Sequence, residues 1–188
     1  GRLKKKTYLK EKGVIDDIEY FDPEVFNYSP REVEVMDPQL RILYKCAQEA
    51  LERGGYDPDR YSGLIGCFAG NSDNYNWATK FLLDESDMGD KYQAFTLNAN
   101  NFLSTRISYK LDLKGPSYTA QTGCSTSLVT IHLACQSLIN GECDMALAGG
   151  VTVELPKEEG YIYDDGMMFS PEGHCRAFDE QAAGTVFS

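Results

Sequence analysis

The chain has 188 residues, of which 42% are hydrophobic and 12% aromatic, so it is long enough to bury the core of one domain. Its formal net charge of −11 argues against binding to nucleic acid or to an anionic membrane as its main task. No apolar run in the sequence approaches the length of a membrane span, and nothing reads as a signal peptide.

The six cysteines are widely spaced and form no Cys-x-x-Cys pair, and Cys46, Cys67 and Cys135 lie within apolar helix or strand patterns. A disulfide framework belongs to small secreted chains, so we expect reduced thiols in a cytoplasmic protein. Only His132 and His174 could add nitrogen ligands, and neither has the spacing of a zinc site. The sequence therefore predicts no bound metal.

The first third of the chain contains an irregular segment followed by a helix. Residues 1–36 mix polar and aromatic side chains without a periodic face, which predicts an extended N-terminal arm. A helix then begins with Asp37 as the N-cap and Pro38 in the first helical position, and it ends at Gly54-Gly55. Its predicted apolar face consists of Leu40, Leu43, Tyr44, Ala47, Ala50 and Leu51.

Two segments, residues 64–70 and 144–149, have the continuous apolar character of strands buried in a parallel sheet. A loop rich in Asn and Asp follows the first of them, and helical patterns separate the two. The tail from Tyr161 onward is predicted to be loop. The alternation of strand and helix predicts an α/β layered fold.

The most informative stretch of the chain is QTGCSTSL, at residues 121–128. Residues 116–121 before it predict a strand, and apolar residues after it recur at helical spacing until Asn140-Gly141 ends the helix. These apolar residues are Leu128, Ile131, Ala134, Cys135, Leu138 and Ile139. The pattern predicts that Cys124 lies where a strand turns sharply into the first turn of a buried helix.

Such a position would direct unpaired backbone N–H groups and the positive end of the helix dipole at the Cys124 sulfur. Both favour the thiolate, the form that attacks a carbonyl carbon, and the same N–H groups could hold a developing oxyanion. Gly123 lets the backbone bend and leaves room for a substrate. The alternative, that Cys124 is a small buried hydrophobic residue, stays open on these residues alone.

A thiol nucleophile generally needs a base or a proton shuttle, and the sequence supplies none for Cys124. His132 follows on the same predicted helix, roughly 12 Å away and about 80° around the axis, so it cannot touch the sulfur. His174 lies on a predicted loop, and nothing in the sequence places it near Cys124. The residues therefore predict a nucleophile without a base.

Five runs of residues carry a resemblance to a known family. They are, in chain order, DPQLR at 37–41, EALE at 49–52, QTGCSTSLV at 121–129, GECDMALAGG at 141–150 and SPEGHCRAFD at 170–179. Together they resemble the β-ketoacyl synthase domains of modular polyketide synthases, including those in hybrids with non-ribosomal peptide synthetases. Gly123 stands where alanine is usual, and a cysteine in place of glutamine at position 124 argues against the inactive chain-length-factor type.

The resemblance implies a thiolase-like fold, in which two related α/β halves form a five-layered α-β-α-β-α body that is usually a homodimer. Residues 37–188 would be the N-terminal half of this domain, and residues 1–36 its extended arm. The family's two catalytic histidines and their supporting lysine lie in the second half, beyond the last residue of this chain. Neither His132 nor His174 matches them.

The resemblance also implies a reaction. In the family, the residue that matches Cys124 takes the acyl chain from the phosphopantetheine arm of an acyl carrier protein. A malonyl-type extender then loses CO₂ and attacks the thioester in a decarboxylative Claisen condensation. The implied activity is that of a polyketide synthase acyltransferase with no cofactor bound to this chain. Its partners would be the acyl carrier protein, the remaining C-terminal half and neighbouring synthase domains.

We expect the 188 residues alone to be inactive and to leave apolar helix faces uncovered, because half of a two-half fold lacks its partner. Two alternatives to the condensing enzyme remain open. The chain could be a non-catalytic scaffold or carrier-docking fragment, or it could be a thiol acyltransferase-like relative that loads acyl groups without decarboxylation.

Overall fold

The computed structural model describes residues 7–82, 88–154 and 159–186. The strands and α-helices in these residues are β1 (Thr7–Leu9), α1 (Pro30–Val35), α2 (Pro38–Gly54), β2 (Ile65–Asn71), α3 (Tyr75–Leu82), α4 (Met88–Leu97), α5 (Leu103–Lys110), β3 (Ser117–Thr119), α6 (Thr126–Ile139), β4 (Met145–Val151) and β5 (Tyr161–Tyr163). Short 3₁₀ turns at Asn100–Phe102 and Gly123–Ser125 precede α5 and α6. A membrane-spanning helix needs about 20 mostly apolar residues, and no helix in the described part of the chain meets that requirement.

The chain divides into two compact units, one of residues 1–16 with 154–188 and the other of residues 17–153. In the first unit, β1 pairs with β5 in antiparallel register. Tyr161 anchors this strand pair, because its buried ring contacts the Phe169 ring with 5.1 Å between centroids and its hydroxyl donates to the carbonyl oxygen of Ser170 at 2.6 Å. The prediction of loop from Tyr161 onward is therefore wrong for residues 161–163.

The second unit is built on a parallel sheet in the order β3-β2-β4. Every residue of the central strand β2 is buried, as its continuous apolar sequence predicts. Alternate residues Ile65, Cys67 and Ala69 join the core formed with α2 and α5, while Gly70 faces the start of α6. Helices thus cover both faces of the sheet, and β4 is half buried rather than fully buried.

The helix predicted from Asp37 is present as α2 and has the predicted ends. The side chain of Asp37 accepts a hydrogen bond from the backbone N–H of Gln39 at 2.8 Å, and Gly55 ends the helix in the left-handed conformation with φ 77°. The side chains of one buried apolar cluster in this unit come mainly from this helix, β2 and α5. They are Phe26, Met36, Leu40, Leu43, Tyr44, Leu51, Ile65, Cys67, Ala69, Leu97, Leu103, Ile107 and Leu113.

Helix α1 lies within residues 1–36, where the sequence pattern predicts no helix. It begins with a reciprocal cap: the Ser29 hydroxyl accepts from the N–H of Glu32, and the Glu32 carboxylate accepts from the N–H of Ser29 at 2.8 Å. Pro30 occupies the first helical position. Local cap chemistry therefore forms this short helix without the periodic apolar face that the prediction required.

Helix α6 has the predicted bounds but not the predicted burial. Its large apolar side chains are exposed to solvent: Leu128 at 73%, Ile131 at 48%, Leu138 at 40% and Ile139 at 75%. The side that packs on the sheet carries Thr130, Ala134 and Ser137, whose small size lets the helix lie close to β2 and β4. The large apolar side chains of α6 therefore lie on the side that the described chain leaves uncovered, as expected for uncovered helix faces.

Candidate active site

A pocket of about 590 Å³ lies at the carboxyl ends of the three parallel strands. Three segments line it, each following one strand. The lining residues are Asn71, Ser72 and Asp73 after β2, Gln121, Gly123, Cys124, Thr126 and Ser127 after β3, and Gly150, Val151 and Thr152 at the end of β4. This edge is where ligands generally bind in open parallel α/β sheets.

Cys124 lies in the 3₁₀ turn directly before α6, is exposed to solvent and lines this pocket. This is the strand-to-helix position predicted for it, and the exposure contradicts the alternative of a buried structural cysteine. Gly123 has φ 61°, in the left-handed region, so the sharp turn of the chain falls on the residue before the thiol.

The hydroxyl groups of two residues brace the turn that carries Cys124. The Thr126 hydroxyl accepts from the backbone N–H of Thr122 at 3.0 Å and donates to the carbonyl oxygen of Gly123 at 2.8 Å. The Ser125 hydroxyl donates to the carbonyl oxygen of Thr122 at 2.8 Å. These bonds tie both ends of the turn to each other and leave the thiol facing the pocket.

Two glycines in neighbouring strands allow the turn and α6 to approach the sheet. A Cβ atom at Gly70 would lie closer than 3.0 Å to the Ala120 carbonyl oxygen and to the Thr126 methyl carbon. A Cβ atom at Gly150 would lie 2.6 Å from the Ser127 hydroxyl oxygen. The residues on both sides of the turn therefore pack directly against the backbone of these two glycines.

The wall after β2 is held by amide side chains that the sequence pattern did not identify. Gln121 donates from its side-chain amide to the Asn71 carbonyl oxygen at 3.2 Å. Asn100 accepts from the Asn71 amide at 2.8 Å and donates to the Asp73 carboxylate at 2.7 Å. The sequence feature that could have identified them is the run of Asn and Asp directly after a buried strand. The carboxyl ends of parallel strands meet at one edge of the sheet, where ligands generally bind.

Neither histidine is among the residues that line the Cys124 pocket. His132 is exposed on α6, two turns beyond the thiol, and is not among the residues that line the pocket. His174 belongs to the other compact unit, where its backbone N–H donates to the Ser170 hydroxyl at 3.4 Å. Within the described residues, no group of three or more His, Cys, Asp or Glu side chains is arranged to hold a metal ion.

The family described as "Beta-ketoacyl synthase, N-terminal domain" matches residues 1–188. Among sequences, a phenolphthiocerol/phthiocerol polyketide synthase from Mycobacterium tuberculosis (strain CDC 1551 / Oshkosh) is 43% identical over 190 residues, which cover 96% of this chain and 13% of that protein. Erythronolide synthase EryA2 of Saccharopolyspora erythraea is 40% identical over 184 residues, which cover 97% of this chain and 5% of that protein.

Among solved structures, ketosynthase twelve from the bacillaene polyketide synthase of Bacillus amyloliquefaciens superimposes with a TM-score of 0.87 at 35% identity. The match covers 98% of this chain and 32% of that one, so the chain spans about a third of that ketosynthase and a smaller share of the synthases above. The chain therefore belongs to the β-ketoacyl synthase family and has the α/β, thiolase-like fold of the polyketide synthase ketosynthases.

Proposed function

We propose that this chain is the N-terminal part of a polyketide synthase ketosynthase domain and that Cys124 is the catalytic residue that accepts the acyl chain. Residues 37–188 would form the N-terminal half of the domain, and residues 1–36 its arm. The observation that carries the proposal is the exposed Cys124 thiol in the turn before α6, inside the pocket at the carboxyl ends of three parallel strands.

The pocket distinguishes Cys124 from the other thiols of the chain. Cys46, Cys135 and Cys175 are also exposed, but none of them lines this pocket. Cys67 is buried, and burial raises the pKa of its thiol to about 12, so it is a poor nucleophile near neutral pH. Among the six cysteines, Cys124 is the one that is both exposed and part of the lining of this pocket.

The first step is a thioester exchange. The Cys124 sulfur attacks the carbonyl carbon of an acyl thioester carried on a phosphopantetheine arm, and a new C–S bond forms. The C–S bond to the arm breaks, and the arm leaves as a thiol after taking up a proton. Negative charge on the carbonyl oxygen of the tetrahedral intermediate is stabilised by backbone N–H groups at the turn that starts α6.

The second step is the condensation. A malonyl-type extender loses CO₂, and the electron pair of the broken C–C bond remains on the α-carbon as an enolate. This carbon attacks the acyl carbonyl on Cys124, a new C–C bond forms, and the Cys124 thiolate leaves. Neither His132 nor His174 has a role in this scheme; the histidines that assist decarboxylation come from the C-terminal half of the domain.

The test is acyl loading of the natural polypeptide that contains this chain, followed by peptide mass mapping. Incubation with a hexanoyl-pantetheine thioester should add one acyl group, located at Cys124, and Cys124→Ala should abolish it. Cys135→Ala is the matched control, because Cys135 lies on α6 but outside the pocket, and this variant should load normally. Undiminished loading of Cys124→Ala would refute the proposal.

The two alternative functions give different results in the same assay. A scaffold or carrier-docking fragment would not load at any cysteine. A thiol acyltransferase-like relative would load at Cys124 but would form no β-keto product when malonyl-carrier protein is added. Formation of that product by the loaded polypeptide supports the condensing enzyme over both.

The partners proposed are an acyl carrier protein, the C-terminal half of the ketosynthase with its neighbouring synthase domains, and a second copy of the domain. Strand β3 lies at one edge of the parallel sheet of the described residues, and Tyr118 on it is exposed at 55%, which supports pairing of this edge between two copies. All six cysteines are unpaired, which supports a reducing compartment such as the cytoplasm. Sedimentation of the natural polypeptide tests the dimer, and a monomer would contradict it.

A further inference from the structure

Gln39, in the first turn of α2, is fully buried, and its side chain makes four hydrogen bonds. Its amide nitrogen donates to the Ser72 carbonyl oxygen at 3.0 Å and to the Asp37 carboxylate at 3.2 Å. Its amide oxygen accepts from the Ser72 hydroxyl at 2.8 Å and from the backbone N–H of Val153 at 3.2 Å. A primary amide has two donor hydrogens and two acceptor lone pairs, so every hydrogen-bonding position of the Gln39 amide is used.

The backbone partners of Gln39 fix the orientation of its amide. The Val153 N–H can only donate, so the atom that faces it must be the amide oxygen. The Ser72 carbonyl can only accept, so the atom that faces it must be the amide nitrogen. The same orientation satisfies both contacts, and reversing the amide would break both.

One of these partners lines the Cys124 pocket, and the other directly follows a lining residue on a different wall. Ser72 lines the wall after β2, and Val153 directly follows Thr152 on the wall after β4. The last backbone hydrogen bond between β2 and β4 runs from the Ser72 N–H to the Val151 carbonyl oxygen at 3.3 Å. Beyond that bond, the side chain of Gln39 provides the next connection between the walls.

Asp37 and Asn74 extend this connection. The Asp37 carboxylate accepts from the Asn74 side-chain amide at 3.2 Å as well as from the Gln39 backbone and side chain, and the Asn74 amide also reaches the Val153 carbonyl oxygen at 3.5 Å. Gln39 itself does not line the pocket, so any effect on a substrate must pass through Ser72 and Val153.

We propose that Gln39 is a positioning residue: by bonding to Ser72 and Val153, it sets the spacing of the two walls that face Cys124 and thereby the rate at which Cys124 is acylated. The DPQLR run is then more than a helix start, because its third residue fixes the shape of a pocket formed by residues far away in sequence. The proposal rests on the proposed function of Cys124 for its acylation readout.

The test compares two reactions of Cys124 in the natural polypeptide. Gln39→Met keeps the approximate size of the side chain but loses all four bonds, so the walls should separate. Acylation by hexanoyl-pantetheine should slow by about tenfold to hundredfold, the scale of a misplacement of about 1 Å. Alkylation of Cys124 by iodoacetamide, a small reagent that needs no wall contacts, should change by less than about twofold.

Gln48→Met is the matched control, because Gln48 lies on the same helix and bonds only outward, to the Glu52 carboxylate. It should acylate at the wild-type rate. If Gln39→Met fails to fold, Gln39→Glu decides, since its carboxylate keeps the acceptor for the Val153 N–H but cannot donate to Ser72 without a proton. Relative to the wild type at the same pH, acylation of Gln39→Glu should be slow at pH 8 and should partly recover as the pH is lowered through the titration of the carboxyl group that the substitution introduces.

A folded Gln39→Met variant that acylates as fast as the Gln48→Met control would overturn the positioning role. So would equal slowing of acylation and iodoacetamide alkylation, because that indicates general damage to the turn. If the wild type and the control are not acylated at Cys124 at all, the proposed function fails first, and the positioning role falls with it. Slowed acylation with normal alkylation supports the proposal.

Discussion

Gly70, in the central strand β2, is the residue at which one added methyl group should most affect the turn that carries Cys124. A Cβ atom built there would lie closer than 3.0 Å to the Ala120 carbonyl oxygen and to the Thr126 methyl carbon, a distance that real Cβ atoms essentially never show. The first of these atoms is backbone and cannot rotate away. The change Gly70→Ala must therefore shift the chain on one or both sides of the turn.

The size of the effect follows from this geometry. Ordinary carbon–oxygen contacts begin at about 3.3 Å, so relief of the clash requires a backbone shift of about 1 Å. Overpacking of this kind destabilises a fold by about 1–3 kcal/mol, which lowers the melting temperature by about 2–4 °C for each kcal/mol in a chain of this length. A shift of about 1 Å at a reacting group costs about a hundredfold in rate.

The assay is thermal melting together with the acyl loading of Cys124, and Gly149→Ala is the control. Gly149 lies opposite Ala69 in the neighbouring strand, and a Cβ atom there would meet nothing within 4 Å. We expect Gly149→Ala to melt and load like the wild type, and Gly70→Ala to melt lower and load far more slowly. If the two variants behave alike, the close approach of β2 to the turn is not what positions Cys124.

Three further outcomes are expected. The N–H of Ser29 holds the pKa of Glu32 below its ordinary value of 4.5, so the stability lost in Glu32→Gln should be present at pH 7 and should shrink as the pH falls below 4.5; a pH-independent difference in urea unfolding contradicts this. Cys67 should react with iodoacetamide at pH 8 only after unfolding in urea, whereas Cys124 reacts in the folded chain, and peptide mapping that finds Cys67 labelled in the folded chain would disprove its burial. The 188-residue chain alone should self-associate in sedimentation, and Ile139→Gln should weaken this, because Ile139 is 75% exposed; a monomeric wild type is the contrary result.

The parts of the fold that could be predicted from the sequence are those with local signals. The cap at Asp37 and the left-handed Gly55 mark the ends of α2, and the continuous apolar run marks β2 as a central strand. The turn at Gly123 and the helix after it are also local signals, and the position of Cys124 that they predict is the one observed. Each of these signals lies within a few residues of the feature that it predicts.

The pocket walls could not be predicted in this way, because they depend on strand order. Ser72 and Thr152 lie far apart in the chain and meet only because β4 pairs beside β2. The bond between Gln39 and Val153 spans 114 residues, so no local pattern indicates it. The spacing of apolar residues in α6 likewise predicts a helix, but it does not indicate which side of that helix the rest of the chain covers.

The most direct test of the central claim is a single-turnover chase in the natural polypeptide. Cys124 is first loaded with a labelled acyl group, excess acyl donor is removed, and malonyl-carrier protein is added. If Cys124 is the acyl acceptor of a condensing enzyme, the label leaves Cys124 at the rate at which it enters a β-keto product on the carrier. If the product forms while the label stays on Cys124, or the label leaves only as free acid, Cys124 is not that acceptor.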